Sequence, residues 1–255
     1  MNTPNITPLN NPSEEMDHQQ DRVELAAAFR WAARYNLHEA TANHFSLAVS
    51  NDGSQFLCNP NGRHFSRVKA SELLLLDAND PNTLNRPDAP DASAWSLHGA
   101  VHRAVPHARC ALHLHPKYAT VLASLKDSTI YPIDQNTMRF FNRIAVDDGF
   151  EGMALGDEGD RVCRNFGNKS VMMMGNHGVM VIGPSVAQAF DTLYYLERAC
   201  ETLVSAYMTQ KELRIVDSEV AEKTAQQWEE YSNLSELHFR ELMAILDEEE
   251  PSYRA

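Results

Sequence analysis

Short apolar stretches of strand length alternate along this chain with longer segments of helical periodicity. Phe45, Leu47 and Val49 alternate with polar or small residues, as on a half-buried strand, whereas residues 21–37 repeat their apolar positions at helical spacing. Residues 171–174 form a further short apolar stretch. A helical bundle does not show this alternation, so the pattern predicts a layered α/β or α+β domain in which helices cover a sheet.

The charge balance and the cysteines limit the classes of protein to consider. The 255 residues carry 22 Lys and Arg against 35 Asp and Glu, a formal charge of −13, which disfavours binding to phosphate backbones and anionic lipid. No stretch approaches roughly 20 consecutive apolar residues, the length of a membrane-spanning helix. The four cysteines form no CxxC pair, and the N-terminus lacks a signal-peptide pattern. We therefore expect a cytoplasmic protein with reduced thiols and without a nucleic-acid or membrane partner.

Composition divides the chain into three parts. Residues 1–20, rich in Asn and Pro, predict a flexible N-terminal arm. Residues 21–215 contain the alternating strands and helices, and Asp21 is the expected N-cap of the first helix. Residues 216–255 predict one long helix over 221–246, followed by a solvated acidic tail.

Two histidines two residues apart give the sharpest local signal for chemistry. His113 and His115 flank Leu114 in a stretch expected to form a strand. Side chains at positions i and i+2 of a strand point to the same face, so both imidazoles can reach one metal ion while Leu114 points into the core. The alternative is that both histidines are partly buried and bonded to backbone carbonyls.

A third imidazole is available in the turn between two apolar strands. His177 follows Gly175 and precedes Gly178, and we expect these two glycines to let the backbone turn sharply. Three imidazoles on one ion leave coordination positions open for water or substrate, which is typical of a catalytic rather than a structural site.

A second pair of histidines has helical spacing. His98 and His102 lie at i and i+4 of an expected helix, a spacing that also binds metal in zinc peptidases. However, Gly99 stands where such a motif needs Glu, and no third ligand follows nearby. We therefore expect His98 to face the sheet and His102 to lie near the surface.

The ordered set of motifs resembles the class II aldolase/adducin family over roughly residues 21–215. The central match is His113-Leu114-His115-Pro116, followed by Gly175-Asn176-His177-Gly178-Val179. Three earlier blocks occur in family order, and together they are more specific than any one motif. These blocks are Ala42-Asn43-His44-Phe45-Ser46, Asn59-Pro60-Asn61-Gly62-Arg63-His64-Phe65 and Ser93-Ala94-Trp95-Ser96-Leu97-His98.

The resemblance implies a single three-layer α/β/α domain around a largely antiparallel sheet. It also implies homotetramers with active sites at subunit interfaces, and a divalent metal ion held by His113, His115 and His177. Family members include sugar-phosphate aldolases, a ribulose-phosphate epimerase, decarboxylases and dehydratases. In these enzymes the metal polarises a carbonyl or enolate oxygen.

This chain departs from the family pattern at the position of the usual acid. Ala94 stands where the sugar-phosphate aldolases carry a proton-shuttling glutamate, so the chain is an atypical member. Ala92 and Asn61 replace residues that contact phosphate in those enzymes, which argues against a phosphorylated substrate. His44 and His64 are the candidate replacement bases, because imidazole titrates near neutral pH.

These residues lead to a functional expectation with open alternatives. We expect a metal-dependent carbon–carbon lyase, of decarboxylase or retro-aldolase type, acting on a small non-phosphorylated oxygenated carbon acid. Its cofactor would be one divalent ion, with Zn²⁺ expected first and Mn²⁺ or Fe²⁺ as alternatives. The other two possibilities are a non-haem iron oxygenase and a non-catalytic adducin-like interaction domain. The candidate substrate-binding residues are Asn43, Gly62 and Ser93.

Overall fold

A single seven-stranded sheet organises the computed structural model, which describes residues 18–152, 158–231 and 233–255. The strands are β1 (His44–Ala48), β2 (Gln55–Cys58), β3 (Leu74–Asp77), β4 (Cys110–Leu114), β5 (Ile144–Asp147), β6 (Val171–Met174) and β7 (Gly178–Gly183). The strand order is β3-β2-β1-β4-β7-β6-β5. Neighbouring strands pair antiparallel except β5 and β6, which are parallel.

Helices cover both faces of this sheet, as in the three-layer α/β/α domain that the family resemblance implies. Among the described residues the helices are α1 (Gln19–Arg34), α2 (Ala92–Ala104), α3 (Lys117–Ala123), α4 (Gln135–Met138), α5 (Glu158–Phe166), α6 (Val186–Met208), α7 (Ser218–Glu230) and α8 (Asn233–Glu249). The larger layer includes α1, α3, α6 and α8, and α6 contacts each of the other three, whereas α2 and α5 pack together on the other face.

Strand alternation decides which side chains face each layer. Phe45 and Leu47 of β1 pack into the large core beneath α1 and α6. His44 and Ser46 of the same strand therefore point to the opposite face, toward α2. On β4, Leu114 likewise enters the large core, and His113 shares the face of His44. The histidines thus gather on the side of the sheet that α2 covers.

Several element boundaries differ from the sequence-based expectations. The first helix begins at Gln19, with His18 at the cap position in a left-handed conformation (φ 62°), so Asp21 lies in the first turn and is not the N-cap. The apolar run within residues 71–77 predicts one short strand, but the segment divides into the end of a 3-10 turn and β3. Residues 126–168 predict mostly irregular structure, whereas β5 within them completes the sheet at its edge.

The C-terminal region also corrects the expectation. The predicted helix over 221–246 is two helices, α7 and α8. The acidic residues 247–249 are exposed, as expected, but the residues that follow them fold back onto the domain. Tyr253 is fully buried, and the Ala255 carbonyl accepts a hydrogen bond from the Ser71 backbone amide at 3.0 Å. Arg30, itself 4% exposed, forms an ion pair with Glu250. Of the predicted arm 1–20, residues 1–17 lie outside the described residues.

None of the described helices combines the length and apolarity needed to cross a membrane.

Candidate metal centre and its histidine network

The sheet register brings together the three histidines predicted as ligands. Since β4 and β7 are antiparallel, the end of β4 lies beside the start of β7, with Leu114 opposite Val179. His113 on the strand and His115 just beyond it therefore meet His177, which precedes β7. One nitrogen from each of the three rings lies within 4.8 Å of the others, a spacing compatible with a shared metal ion.

The turn before β7 does not depend on its two glycines for a left-handed backbone, contrary to expectation. Asn176, not a glycine, takes the left-handed conformation (φ 56°), which Asn tolerates better than most residues. Gly178 is required for space instead. A Cβ at this position would lie 2.5 Å from His115 Cδ2 and 2.7 Å from the Leu114 carbonyl oxygen. The glycine thus lets the His115 ring approach the start of β7.

Hydrogen bonds fix the orientation of two of these rings and leave nitrogens free. His113 Nδ1 donates to the Val179 carbonyl oxygen at 3.0 Å, and His115 Nδ1 contacts Glu39 Oε2 at 3.0 Å. His115 Nε2 and His177 Nδ1 are buried and have no hydrogen-bond partner among the described residues. Buried polar atoms without partners are unusual in folded proteins. Imidazoles held by a carbonyl or a carboxylate are typical of metal ligands, so these residues fit a metal ion.

Burial keeps two of the candidate ligand histidines, His113 and His177, neutral. Desolvation is the main cause that lowers the pKa of His177 to about 4 and the pKa of His113 well below its ordinary value, and neighbouring histidines add to both shifts. A neutral imidazole has the lone pair that a metal requires.

Two carboxylates beside the site escaped the sequence analysis. Glu39, in the loop after α1, contacts His115 as described. Glu158, at the start of α5, places Oε1 3.9 Å from His177 Nδ1 and 3.6 Å from Arg161 Nη2. Burial raises the pKa of Glu158. No local sequence signal marks either residue, because each reaches the site from an element distant along the chain.

His44, a predicted base, lies next to the three histidines. Its Cα pairs with that of His113 across β1 and β4, and the two rings are 4.9 Å apart. Burial lowers the pKa of His44 to about 4. His44 Nδ1 is hydrogen bonded to His98 Nε2 at 2.7 Å.

The hydrogen bonds continue from His98 into the interior. His98 Nδ1 is bonded to Ser46 Oγ, and Ser46 Oγ is bonded to His102 Nε2 at 2.6 Å. His102 Nδ1 donates to the Ala108 carbonyl oxygen at 2.7 Å. The expectation that His98 faces the sheet is confirmed. The expectation that His102 lies near the surface is wrong, because Ser46 and the Ala108 carbonyl provide buried partners for both of its nitrogens.

The remaining predicted residues occupy different surroundings. Asn43 is buried beside His44, and its Nδ2 has no partner among the described residues. Ser93 lies at the start of α2, where both its backbone amide and its hydroxyl donate to Asp91. Gly62 is exposed in a left-handed conformation (φ 72°), and His64 is exposed and bonded to Ser66.

His64 also contacts His38, with their Nε2 atoms 3.1 Å apart. The described contacts include none between His64 and the three clustered histidines. Ala94 is buried in α2 against Phe56 and Cys58, so its methyl group contributes packing where the resemblance places an acid.

Comparison with known proteins shows which family this chain resembles. The sequence profile of the family "Class II Aldolase and Adducin N-terminal domain" matches residues 23–204. A protein of Caulobacter vibrioides whose name assigns it to the class 2 aldolases is 30% identical over 189 residues, 73% of this chain and 72% of that protein. Decarboxylase NovR of Streptomyces niveus is 25% identical over 220 residues, 83% of this chain and 81% of NovR.

A solved structure extends the match to the whole fold. The aldolase II superfamily protein of Pseudomonas syringae superposes with a TM-score of 0.85 and 30% identity, covering 94% of this chain and 97% of that one. The chain therefore belongs to the class II aldolase and adducin family.

Proposed function

We propose that this protein is a metal-dependent carbon–carbon lyase, of decarboxylase or retro-aldolase type, acting on a small non-phosphorylated oxygenated acid. The observation that carries the proposal is the meeting of His113, His115 and His177, with buried, unpartnered nitrogens on two of the rings. Similarity to a decarboxylase and to class 2 aldolases supports the same reaction class.

The three imidazoles would hold one divalent cation, with Zn²⁺ expected first and Mn²⁺ or Fe²⁺ as alternatives. When bound, such a cation supplies Lewis-acid stabilisation of negative charge on a substrate oxygen. The protein contributes the orientation of the ligands. Glu39 and the Val179 carbonyl hold the rings of His115 and His113, and Glu158 adds negative charge beside His177.

The start of α2 supports a substrate without phosphate. Helix N-termini bind phosphate through free backbone amides, but here the Asp91 carboxylate accepts from the Ser93 and Ala94 amides and from the Ser93 hydroxyl. An anionic group at this place would meet a carboxylate. Ser93 is therefore occupied by helix capping, whereas Asn43 keeps a free amide donor for a substrate oxygen.

His44 is the proton-transfer group that the geometry favours. It lies beside His113 and is neutral, so one of its ring nitrogens has a lone pair that can take a proton from a substrate hydroxyl. Ala94 cannot exchange a proton, and decarboxylation does not need a base at that position to remove a hydroxyl proton. His64, Gly62 and the family's tetramer remain predictions, and sizing by light scattering tests the last of these.

Elemental analysis of the purified protein beside two variants tests the metal site. We expect close to one divalent ion per chain in the parent and in His107→Ala, whose imidazole bonds the Lys169 carbonyl away from the site. His177→Ala should lose most of the metal. Equal metal content in His177→Ala and the parent would refute the site.

The reaction class has its own test. Incubation of the metal-loaded protein with a panel of hydroxy and keto acids should release CO₂ or an aldehyde, with equal rates in air and under argon. Turnover that requires O₂ and Fe²⁺ would identify the oxygenase instead. A protein that binds neither Zn²⁺ nor Fe²⁺ would point to the adducin-like interaction domain.

A further inference from the structure

A buried chain of hydrogen bonds extends from His44 into the interior. The acceptor at the other end of this chain determines which atom donates in each bond. The chain runs from His44 through His98, Ser46 and His102 to the carbonyl of Ala108. All four side chains are at most 6% exposed, so water does not compete for their hydrogen bonds. A carbonyl oxygen can only accept, and this one fact orients each bond in turn.

The first steps concern His102 and Ser46. His102 Nδ1 must carry a hydrogen, because it bonds the Ala108 carbonyl. A neutral ring has only one N–H, so His102 Nε2 accepts, and the Ser46 hydroxyl donates its single hydrogen to it. Burial lowers the pKa of His102 to about 4, which keeps the ring neutral.

The next steps reach the metal centre. Since the Ser46 hydroxyl has no second hydrogen, His98 Nδ1 must donate to its oxygen. Burial also lowers the pKa of His98, so His98 Nε2 accepts from His44 Nδ1. The lone pair of His44 is then on Nε2, the nitrogen for which the described residues provide no hydrogen-bond partner.

We propose that His98, Ser46 and His102 are positioning residues that hold His44 as the Nδ1–H tautomer, with its Nε2 lone pair available to accept a hydrogen bond from a substrate hydroxyl. The tautomer assignment stands on the hydrogen bonds of these buried, neutral rings and does not depend on a substrate. Only the use of the lone pair by a substrate rests on the proposed lyase function. This arrangement would let an uncharged His44 act as a base in a chain that has Ala94 at the position of the usual acidic residue.

Neutron diffraction from crystals of the perdeuterated full-length protein, grown near pH 8, reads the tautomers directly. The expected map has deuterons on Nδ1 of His44, His98 and His102 and none on their Nε2 atoms. The Ser46 deuteron should point to His102. A deuteron on His44 Nε2, or two deuterons on any of the three rings, would overturn the proposal.

A variant separates positioning from packing. Ser46→Ala removes the hydroxyl that links His98 to His102, so a deuteron should appear with partial occupancy on His44 Nε2. The control variant His107→Gln changes a residue that takes no part in these hydrogen bonds, so it should leave all three tautomers unchanged. An unchanged His44 in Ser46→Ala would contradict the positioning role, and the parent map decides the assignment if this variant does not fold.

Activity and metal content keep the two proposals apart. Once a substrate is known, Ser46→Ala should lower kcat by about 100-fold, as expected for a misoriented base, with KM and metal content unchanged. A parent that binds no metal but shows the expected deuterons would refute the lyase and retain the tautomer assignment. An increase in KM with unchanged kcat would contradict the positioning role.

Discussion

Two groups of histidines share one face of the sheet, and they differ in how their nitrogens are satisfied. In the cluster of His113, His115 and His177, two buried nitrogens have no partner among the described residues. In the neighbouring pair, His98 and His102, each nitrogen has a hydrogen-bond partner. The protein itself supplies a hydrogen-bond partner for each nitrogen of the second group, whereas two nitrogens of the first group remain available to a ligand. The hydrogen-bond partners of the ring nitrogens, more than the number of histidines, therefore distinguish a candidate ligand cluster from a structural network.

The largest expected effect concerns the unsatisfied cluster. Saturating metal should stabilise the parent by about 4 kcal/mol at a concentration 1,000 times Kd, which corresponds to roughly 10 °C in Tm for a domain of this size. Differential scanning calorimetry with Zn²⁺ and with chelator measures this shift. In His177→Ala the metal-induced shift in Tm should nearly vanish. A full shift in this variant would show that the three clustered histidines do not bind the metal.

The satisfied network should respond to loss of a partner. Ser46→Ala leaves His98 Nδ1 and His102 Nε2 buried without their bond, which should cost about 2–3 kcal/mol of unfolding free energy in chelator. Ser66→Ala is the matched control, because it removes an exposed hydroxyl from His64 and should change stability by less than about 0.5 kcal/mol. Equal urea midpoints for the two variants would show that the buried network contributes no stability.

A smaller effect is expected for the carboxylate that orients His115. Glu39→Gln should weaken metal binding by about tenfold, because carboxylates behind ligand histidines hold the ring and increase its basicity. Isothermal titration with Zn²⁺ measures the change. Glu24→Gln, whose carboxylate in α1 bonds Gln20, should bind metal as the parent does. The same affinity in all three proteins would remove Glu39 from the site.

The satisfied network should also give stability a pH dependence. His102 has a pKa of about 4 when folded against an ordinary value of 6.5, so the unfolded chain binds more protons between these values. Its stabilising contribution is complete above pH 6.5 and is lost as the pH falls toward 4, by up to about 1.4 kcal/mol per pH unit.

Urea unfolding in chelator between pH 7 and 5 measures this dependence. His102→Gln should reduce the slope of stability against pH by up to one proton, although His98 faces His102 and titrates in the same direction. An unchanged slope would mean that His102 is charged in the folded protein or already neutral when unfolded.

Much of the candidate metal centre follows from local sequence rules. The i, i+2 spacing of His113 and His115 predicts a common face, and the rings do lie 5.2 Å apart. The face shared by His44 and Ser46 follows from the same alternation and could have predicted Ser46. The turn between two apolar strands suggested His177 as a third ligand and the family resemblance supported it, but only the sheet order places β4 beside β7.

What the sequence did not predict depends on packing between distant elements. His102 is buried because α2 lies against β1, and the spacing of His98 and His102 along the helix does not reveal which side the sheet covers. Glu158 and Glu39 arrive from α5 and from the loop after α1. The acidic tail is largely exposed, as composition predicts, but composition did not predict that Arg30 and Arg34 bind its carboxylates.

The most direct test of the central claim is an anomalous difference map from crystals of the metal-loaded protein, recorded at the absorption edge of the bound ion. We expect one strong peak about 2.0–2.1 Å from a nitrogen of each of His113, His115 and His177. A map with no peak among these three rings, in protein shown by elemental analysis to contain the metal, would contradict this claim.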